Sequence, residues 1–214
     1  MPADDVGLEF ILDFFGDRIG YLVDVGAYDG VIEGSMSCDL MVKGWSGLLV
    51  EPLKEAFLKL ELAYIGNPNA TCVQVACSNC GGTVDLYPCA GVSTLEKDWA
   101  DACQACWSHI NYGESQRVVR VMLKELLAVH APSKIDYLKI DTEGHDFKVL
   151  LEMDWSFDPD LICVETLDMV HLEKRKKDGK FQPGEDLDAL LVNRGYKLVL
   201  TTIGGNGIYI KEKL

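Results

Sequence analysis

The feature that most constrains this chain is a series of short, almost wholly apolar runs, each closing on or near an acid or a small residue. YLVDVG (21–26), SGLLVE (46–51), TCVQVAC (71–77), IDYLKID (135–141) and LICVETL (161–167) show little polar alternation, so strands made from them must be covered on both faces. The cover comes from the helical patterns between them. An amphipathic helix within 1–19 carries Leu8, Ile11, Leu12 and Phe15 on one side. Gly34 to Lys43 reads as a helix stopped by Gly44. PLKEAFLKLELAYIGNP (52–68) reads as another, with Pro52 near its first turn and Phe57, Leu60 and Tyr64 on one face. FKVLLEM (147–153) and EDLDALLVNRG (185–195) repeat the pattern, the latter burying Leu187, Leu190 and Leu191. TVDLY (83–87) is an added strand candidate, VVRVM (118–122) precedes the short helix KELLAVHA (124–131), and Pro88 to Gln116 is the least regular stretch. KLVLTTI and IYIKE, joined through GGNG, form a terminal antiparallel hairpin. The expectation is one α/β domain over 1–214, a mostly parallel, doubly wound sheet with a hairpin at one edge.

Charge narrows the function classes. With 34 acids against 20 Lys and Arg, the formal net charge is -14, which repels phosphate backbones and anionic lipid surfaces. No apolar run is long enough to span a membrane, and MPADDVGLEFILDFFGDR carries acids where a secretory signal needs positive charge. A soluble, cytoplasmic protein without a nucleic-acid partner is expected. Eight cysteines include two CxxC pairs, Cys77/Cys80 and Cys103/Cys106. They admit two readings: a zinc-stabilised, non-catalytic binding module, or buried thiols, since Trp99, Cys103, Cys106 and Trp107 share a helical stripe.

In open α/β sheets ligands bind beyond the carboxyl ends of the strands, where strand order reverses. At the first such end, VDVGAYDG, Gly26 permits a sharp turn and close approach while Asp24 and Asp29 flank it. The second close glycine of a dinucleotide fingerprint is missing, because Gly30 arrives four residues after Gly26. A pyrophosphate needs bare backbone N–H groups, whereas nearby acids suit an ammonium. At the second end Glu51 can accept hydrogen bonds from both hydroxyls of a ribose. Together these favour adenosine with a positive, phosphate-free tail, S-adenosylmethionine, over NAD. The nicotinamide oxidoreductase alternative has only Tyr209 and Lys213 in YxxxK spacing.

VDVGAYDG, GWSGLLVEP, VACSN followed by GTVDLY, and IDYLKIDTEGHDFKVL together resemble the FkbM family of S-adenosylmethionine-dependent methyltransferases, from about Tyr21 to Leu167. The resemblance implies a Rossmann-like class I methyltransferase fold of seven strands, the seventh antiparallel, and O-methylation of a hydroxyl on a small molecule, sugar or lipid. It places Asp24, Gly26, Ala27, Tyr28 and Asp29 near the methionine part of the donor, Glu51 with Pro52 at the ribose, and Ala76, Cys77 and Ser78 beside the adenine. Asp141, at the end of the fourth parallel strand, would lie near the transferable methyl.

The acid-rich stretch DTEGHD supplies the catalytic candidates. Asp141 and Glu143 contact substrate or donor, or else bind a divalent metal with Glu165 as a further ligand. His145 is the general-base candidate, with His171 in reserve. Asp146 complements the start of the following helix. The insertion 88–116 is the expected substrate cover. The charged run KRKKDGKFQPGED (174–186) reads as a solvated loop, with a border of the substrate mouth as the alternative.

Overall fold

The computed structural model describes residues 5–31, 37–166, 187–202 and 205–212. The apolar runs form a seven-stranded sheet. Its strands in chain order are β1 (Tyr21–Val25), β2 (Ser46–Val50), β3 (Ala70–Val73), β7 (Tyr137–Ile140), β8 (Leu161–Glu165), β9 (Tyr196–Thr201) and β10 (Asn206–Lys211). The spatial order is β3-β2-β1-β7-β8-β10-β9, parallel from β3 to β8, with β10 antiparallel to both its neighbours. The expected antiparallel hairpin is β9–β10. The strand order reverses between β1 and β7, so a crevice opens there at their carboxyl ends.

Alternate strand residues serve two cores. On one face Val23, Val25, Leu48, Val50, Leu138, Ile140, Ile162 and Val164 are buried against α5 (Leu123–His130), α6 (Asp146–Leu151) and α7 (Leu187–Asn193). On the other, Leu22, Leu49, Tyr137, Leu161 and Cys163 pack with Ile11 and Phe15 of α1 (Asp5–Phe15), Leu40 and Met41 of α2 (Cys38–Val42), and Leu60 of α3 (Lys54–Ala63). Covering both faces is what makes the central strands read as continuous apolar runs.

The structure departs from expectation in several places. TCVQVAC is two strands: β3 ends at Val73, exposed Gln74 marks the step, and β4 (Ala76–Ser78) joins a separate sheet. That sheet has the order β4-β6-β5, with β5 (Gly82–Leu86) antiparallel and β4 parallel to β6 (Gln116–Met122). The stretch between Pro88 and Gln116 is more ordered than its composition suggests. It holds a 3₁₀ turn at Ala90–Val92 and the helix α4 (Lys97–Cys106), which buries Trp99 and Cys103 but leaves Cys106 exposed, so only half of the expected stripe faces inward. Pro52 stands near the first turn of α3 as expected, directly before the cap Leu53. Residues 34–36 of the second expected helix, His171, the run 174–186, residues 185–186 of the last helix and Lys213 lie outside the described residues.

Candidate functional site

The crevice at the reversal point is a cleft of about 530 Å³, counted to the solvent at its mouth. Its floor is made by strand ends: Val25, Gly26 and Tyr28 after β1, Val50, Glu51 and Pro52 after β2, Val75, Ala76 and Cys77 around β4, and Asp141, Thr142 and Glu143 after β7. Leu86, Ala90, Gly91, Ser93 and Leu95 close it from the second sheet and the insertion.

Gly26 is required by a backbone crossing. Its φ is +89°, and a Cβ there would stand 1.9 Å from the Asp141 carbonyl oxygen. The N–H of Asp141 donates to the Val25 carbonyl at 2.9 Å, holding β7 against the turn. Two residues on, Tyr28 also has positive φ (50°), which costs a bulky residue conformational energy. Its N–H donates to Glu51 Oε2 at 2.9 Å, while the Leu53 N–H donates to Oε1 at 2.8 Å. Both oxygens of a buried carboxylate are thus oriented by main chain at the cleft wall. Burial pushes Glu51 up to about 7, with Asp24 adding to it and the two backbone hydrogen bonds and Lys139 opposing.

Across the cleft, Ala76 and Cys77 form an apolar wall, and burial pushes the Cys77 thiol up to about 12, so it stays neutral. Ser78 is fully buried and turned away from the cleft lining, its Oγ 2.9 Å from His145 Nε2. The other nitrogen of His145, Nδ1, donates to Glu96 Oε1 at 2.6 Å. That hydrogen bond is the main cause holding Glu96 down at about 2; burial opposes it, and Lys148 adds to it. With both ring nitrogens engaged, 4% exposure and no place in the cleft lining, His145 has no free nitrogen for a substrate proton. The expectation of a general base is corrected accordingly: His145 ties the start of α6 to β4 and to the insertion.

The insertion also grips the loop before α6. Thr94 Oγ1 donates to the Glu143 carbonyl at 2.6 Å, and Trp99 packs so closely on Gly144 that a Cβ there would lie 2.8 Å from the indole. Glu143 itself has φ of 54°. Its carboxyl is pushed up to about 8 by burial and by Asp141 and Asp146, against Trp99 and Lys139. Burial, with Asp141 next, brings Asp146 to about 7, although its Oδ1 accepts the Thr142 N–H at 3.1 Å. Asp146 opens the first turn of α6. Glu165, at the end of β8, is also raised, by burial first and then by Glu143, Asp146 and Asp141. One oxygen each from Asp141, Glu143 and Glu165 lies within 4.8 Å of the others, so among the described residues these three could hold a metal ion.

Lys139 is the residue sequence reasoning passed over. Its Nζ reaches Asp24 Oδ1 at 3.3 Å and Asp141 Oδ2 at 3.4 Å from inside β7. Burial pulls its ammonium down, but Asp24 and then Asp141 outweigh this and hold it protonated. A lysine within a buried apolar strand needs a carboxylate partner, and that signal was present in YLKI.

Of the expected donor-site residues, Gly26, Tyr28, Glu51, Pro52, Ala76, Cys77 and Asp141 meet at the cleft. Asp24 does not line it, because it points from β1 into the core against Lys139. Ala27 is buried among the residues under α1 to α3. Asp29 lies past the turn, accepting the Val31 N–H at 3.2 Å. Tyr209 is buried on β10 with its hydroxyl on Asp188, away from the cleft lining. Among the described residues the four CxxC cysteines do not come together as a ligand group.

The Methyltransferase FkbM domain pattern matches residues 24–198. Among solved structures, the chain is similar to the methyltransferase FkbM of Methylobacillus flagellatus KT, at 13% identity and TM-score 0.51 over 90% of this chain. It spans only 43% of that protein's length. It is also similar to the magnesium protoporphyrin IX methyltransferase of Synechocystis PCC 6803 with bound SAH, at 12% identity and TM-score 0.50, covering 98% of this chain and 81% of that one. At these identities the likeness shows a shared class I, Rossmann-like fold. No curated protein sequence matches significantly.

Proposed function

The chain belongs to the FkbM methyltransferase family, and from that premise we propose that it is an S-adenosylmethionine-dependent O-methyltransferase acting on a hydroxyl of a small molecule, sugar or lipid. The observation that carries the donor assignment is Glu51, a buried carboxylate at the cleft wall whose two oxygens are already oriented by the Tyr28 and Leu53 N–H groups. Its remaining lone pairs can accept two ribose hydroxyls without the side chain reorganising. Gly26 turns the chain at the cleft lining, and Ala76 and Cys77 offer an apolar wall to the adenine.

The donor supplies a methyl group on positive sulfur: the acceptor oxygen attacks that carbon, the C–S electron pair returns to sulfur, and the hydroxyl proton leaves the oxygen. The protein's part is mainly placement. Asp141 and Glu143 are the oxygen groups at the β7 end of the cleft, suited to orient an acceptor hydroxyl and take its proton. Lys139, fixed between Asp24 and Asp141, limits how far Asp141 can move. Ala90, Gly91, Ser93 and Leu95 bring the insertion over the same cleft, which supports its role as acceptor cover. The residues of this wall are small or apolar, and a polyanionic acceptor or nucleic acid would also meet the net charge of -14. Among the described helices none is long and apolar enough to cross a membrane. No disulfide joins any of the eight cysteines, all of them among the described residues, which fits a cytoplasmic site of action.

Calorimetric titration with S-adenosylmethionine, S-adenosylhomocysteine and NAD tests the donor assignment; binding of NAD alone overturns it. With an acceptor found by screening hydroxylated compounds, Asp141→Asn is expected to keep donor affinity and lower turnover. Unchanged turnover removes Asp141 from the chemistry.

A further inference from the structure

We infer that His145 is a positioning residue that joins, through Ser78 and Glu96, the wall facing the donor's adenine to the cover over the acceptor, so that donor occupancy orders the cover. The inference rests on the methyltransferase reading of the cleft. Each member of this chain of contacts adjoins the cleft lining without entering it. Ser78 follows Cys77, Glu96 follows Leu95, and His145 stands two residues after Glu143. Ser78 Oγ lies 2.9 Å from His145 Nε2, and His145 Nδ1 donates to Glu96 Oε1 at 2.6 Å. The two nitrogens belong to one planar ring, so the contacts are held at a fixed spacing with no rotatable bond between them. Ser78 and His145 are both buried, and water does not compete for the link between them.

Glu96 is where the link reaches the insertion. It stands at the cap position of α4, yet its side chain makes no capping hydrogen bond. Its carboxylate accepts instead from His145 and from Lys148, three residues further along α6. A glutamate that served only α4 would turn to the free N–H groups of that helix's first turn. The main chain of Glu96 does serve α4, since its carbonyl accepts the Ala100 N–H at 3.0 Å. Just before it, the Thr94 hydroxyl accepts the Glu96 N–H at 3.0 Å and donates to the Glu143 carbonyl at 2.6 Å. Leu95, which lines the cleft, is thereby pinned on both sides to the segment after β7. An adenine held against Cys77 restricts β4 and, through His145, the first turn of α4. Order already imposed by the donor lowers the cost of binding an acceptor beneath the cover, which favours binding of the donor first. No residue of α4 lines the cleft, so exchange of its amide hydrogens reports the link rather than contact with the ligand.

The test is amide hydrogen exchange of the full chain, with and without saturating S-adenosylhomocysteine, for wild type, Ser78→Ala and His145→Asn, with saturation set for each protein by calorimetry. Asparagine keeps a donor near the Nδ1 position but does not reach Ser78, so the two substitutions cut the same link from opposite ends, and either variant alone carries the comparison. S-adenosylhomocysteine is expected to slow exchange at Ala100 to Trp107 by about fivefold or more in wild type and by less than about twofold in both variants. A purely structural role raises exchange in the variants equally with and without the ligand and leaves the ligand-dependent ratio as in wild type; that result overturns the inference. Unchanged α4 exchange in liganded wild type overturns it as well, while the methyltransferase reading stands. Wild type that does not bind S-adenosylhomocysteine overturns that reading, and this inference with it.

Discussion

Replacing Lys139 with methionine isolates the charge on which the strand crossing depends. Asp24 and Lys139 face each other across β1 and β7, 2% and 8% exposed, on the face that carries Leu22 and Tyr137. Methionine keeps most of the volume, so the packing loss is small. The remaining cost is a buried carboxylate without its cation. Removing one partner of a buried pair costs about 3–5 kcal/mol while the other stays charged. The buried acid can escape by taking up a proton, which for an ordinary aspartate costs about 4 kcal/mol at pH 7 and about 1.5 kcal/mol at pH 5. The sign follows: the folded variant binds this proton more readily than the unfolded chain, so its stability falls as pH rises. Lys139→Met should therefore lose about 4 kcal/mol at pH 7 and about 1.5 kcal/mol at pH 5. Asp141 adds little, because its side chain is 32% exposed and water can replace the ammonium. Urea denaturation of wild type and variant at both pH values measures this. The double variant Asp24→Asn with Lys139→Met, which buries no charge at this pair, should recover to within about 1–2 kcal/mol of wild type. An equal deficit at both pH values, or a double variant no more stable than the single, refutes the reasoning.

Gly26→Ala forces a side chain against the Asp141 carbonyl at positive φ; strain of about 1–2 kcal/mol and a weakened β1–β7 contact should lower the melting temperature by at least about 5 °C, and a shift under about 2 °C contradicts the crossing argument. Glu51 is pushed up to about 7, so its charged form, the better acceptor for ribose hydroxyls, is lost as pH falls through that value. S-adenosylhomocysteine should accordingly bind several-fold more tightly at pH 8 than at pH 6 by calorimetry, Glu51→Gln should flatten the dependence, and a pH-independent wild type rules out the contact. Glu96 is held at about 2, chiefly by His145, so it contributes stability that is present above its ordinary value of 4.5 and lost as pH falls toward 2. Urea midpoints between pH 2 and 5 should fall less steeply in Glu96→Gln than in wild type; parallel curves would show that the His145 link carries no stability.

The strands were legible because each central run is buried on both faces, and Glu51 and Asp141 were legible because they follow those runs directly. The convergence of Glu165 with Asp141 and Glu143 was readable for the same reason, as β7 and β8 are adjacent parallel strands whose ends coincide. What was not legible depended on pairing over long separations. Asp24 read as a ligand of the turn because its partner, Lys139, lies 115 residues away and becomes a neighbour only once β1 and β7 pair. His145 read as a base because Glu96 and Ser78 stand 49 and 67 residues before it. The second sheet escaped because β4 continues the apolar pattern of β3, and no local signal says that the chain changes sheets between them.

These long-range contacts change what DTEGHD is. Taken locally it is a glycine turn with acids; in the fold it is a loop held from outside, with Thr94 on the Glu143 carbonyl, Trp99 on Gly144 and Glu96 on His145. All three supports come from the insertion. A left-handed Glu143 beside further acids is unfavourable on both conformational and electrostatic grounds, and it persists only where surrounding structure over-determines it. The insertion thus has two roles that sequence alone kept apart: it forms a wall of the cleft, and it holds the loop carrying Asp141 and Glu143 in place. A change of acceptor specificity made by altering residues 88–106 would for that reason also disturb the carboxylates, unless Thr94, Glu96 and Trp99 were kept.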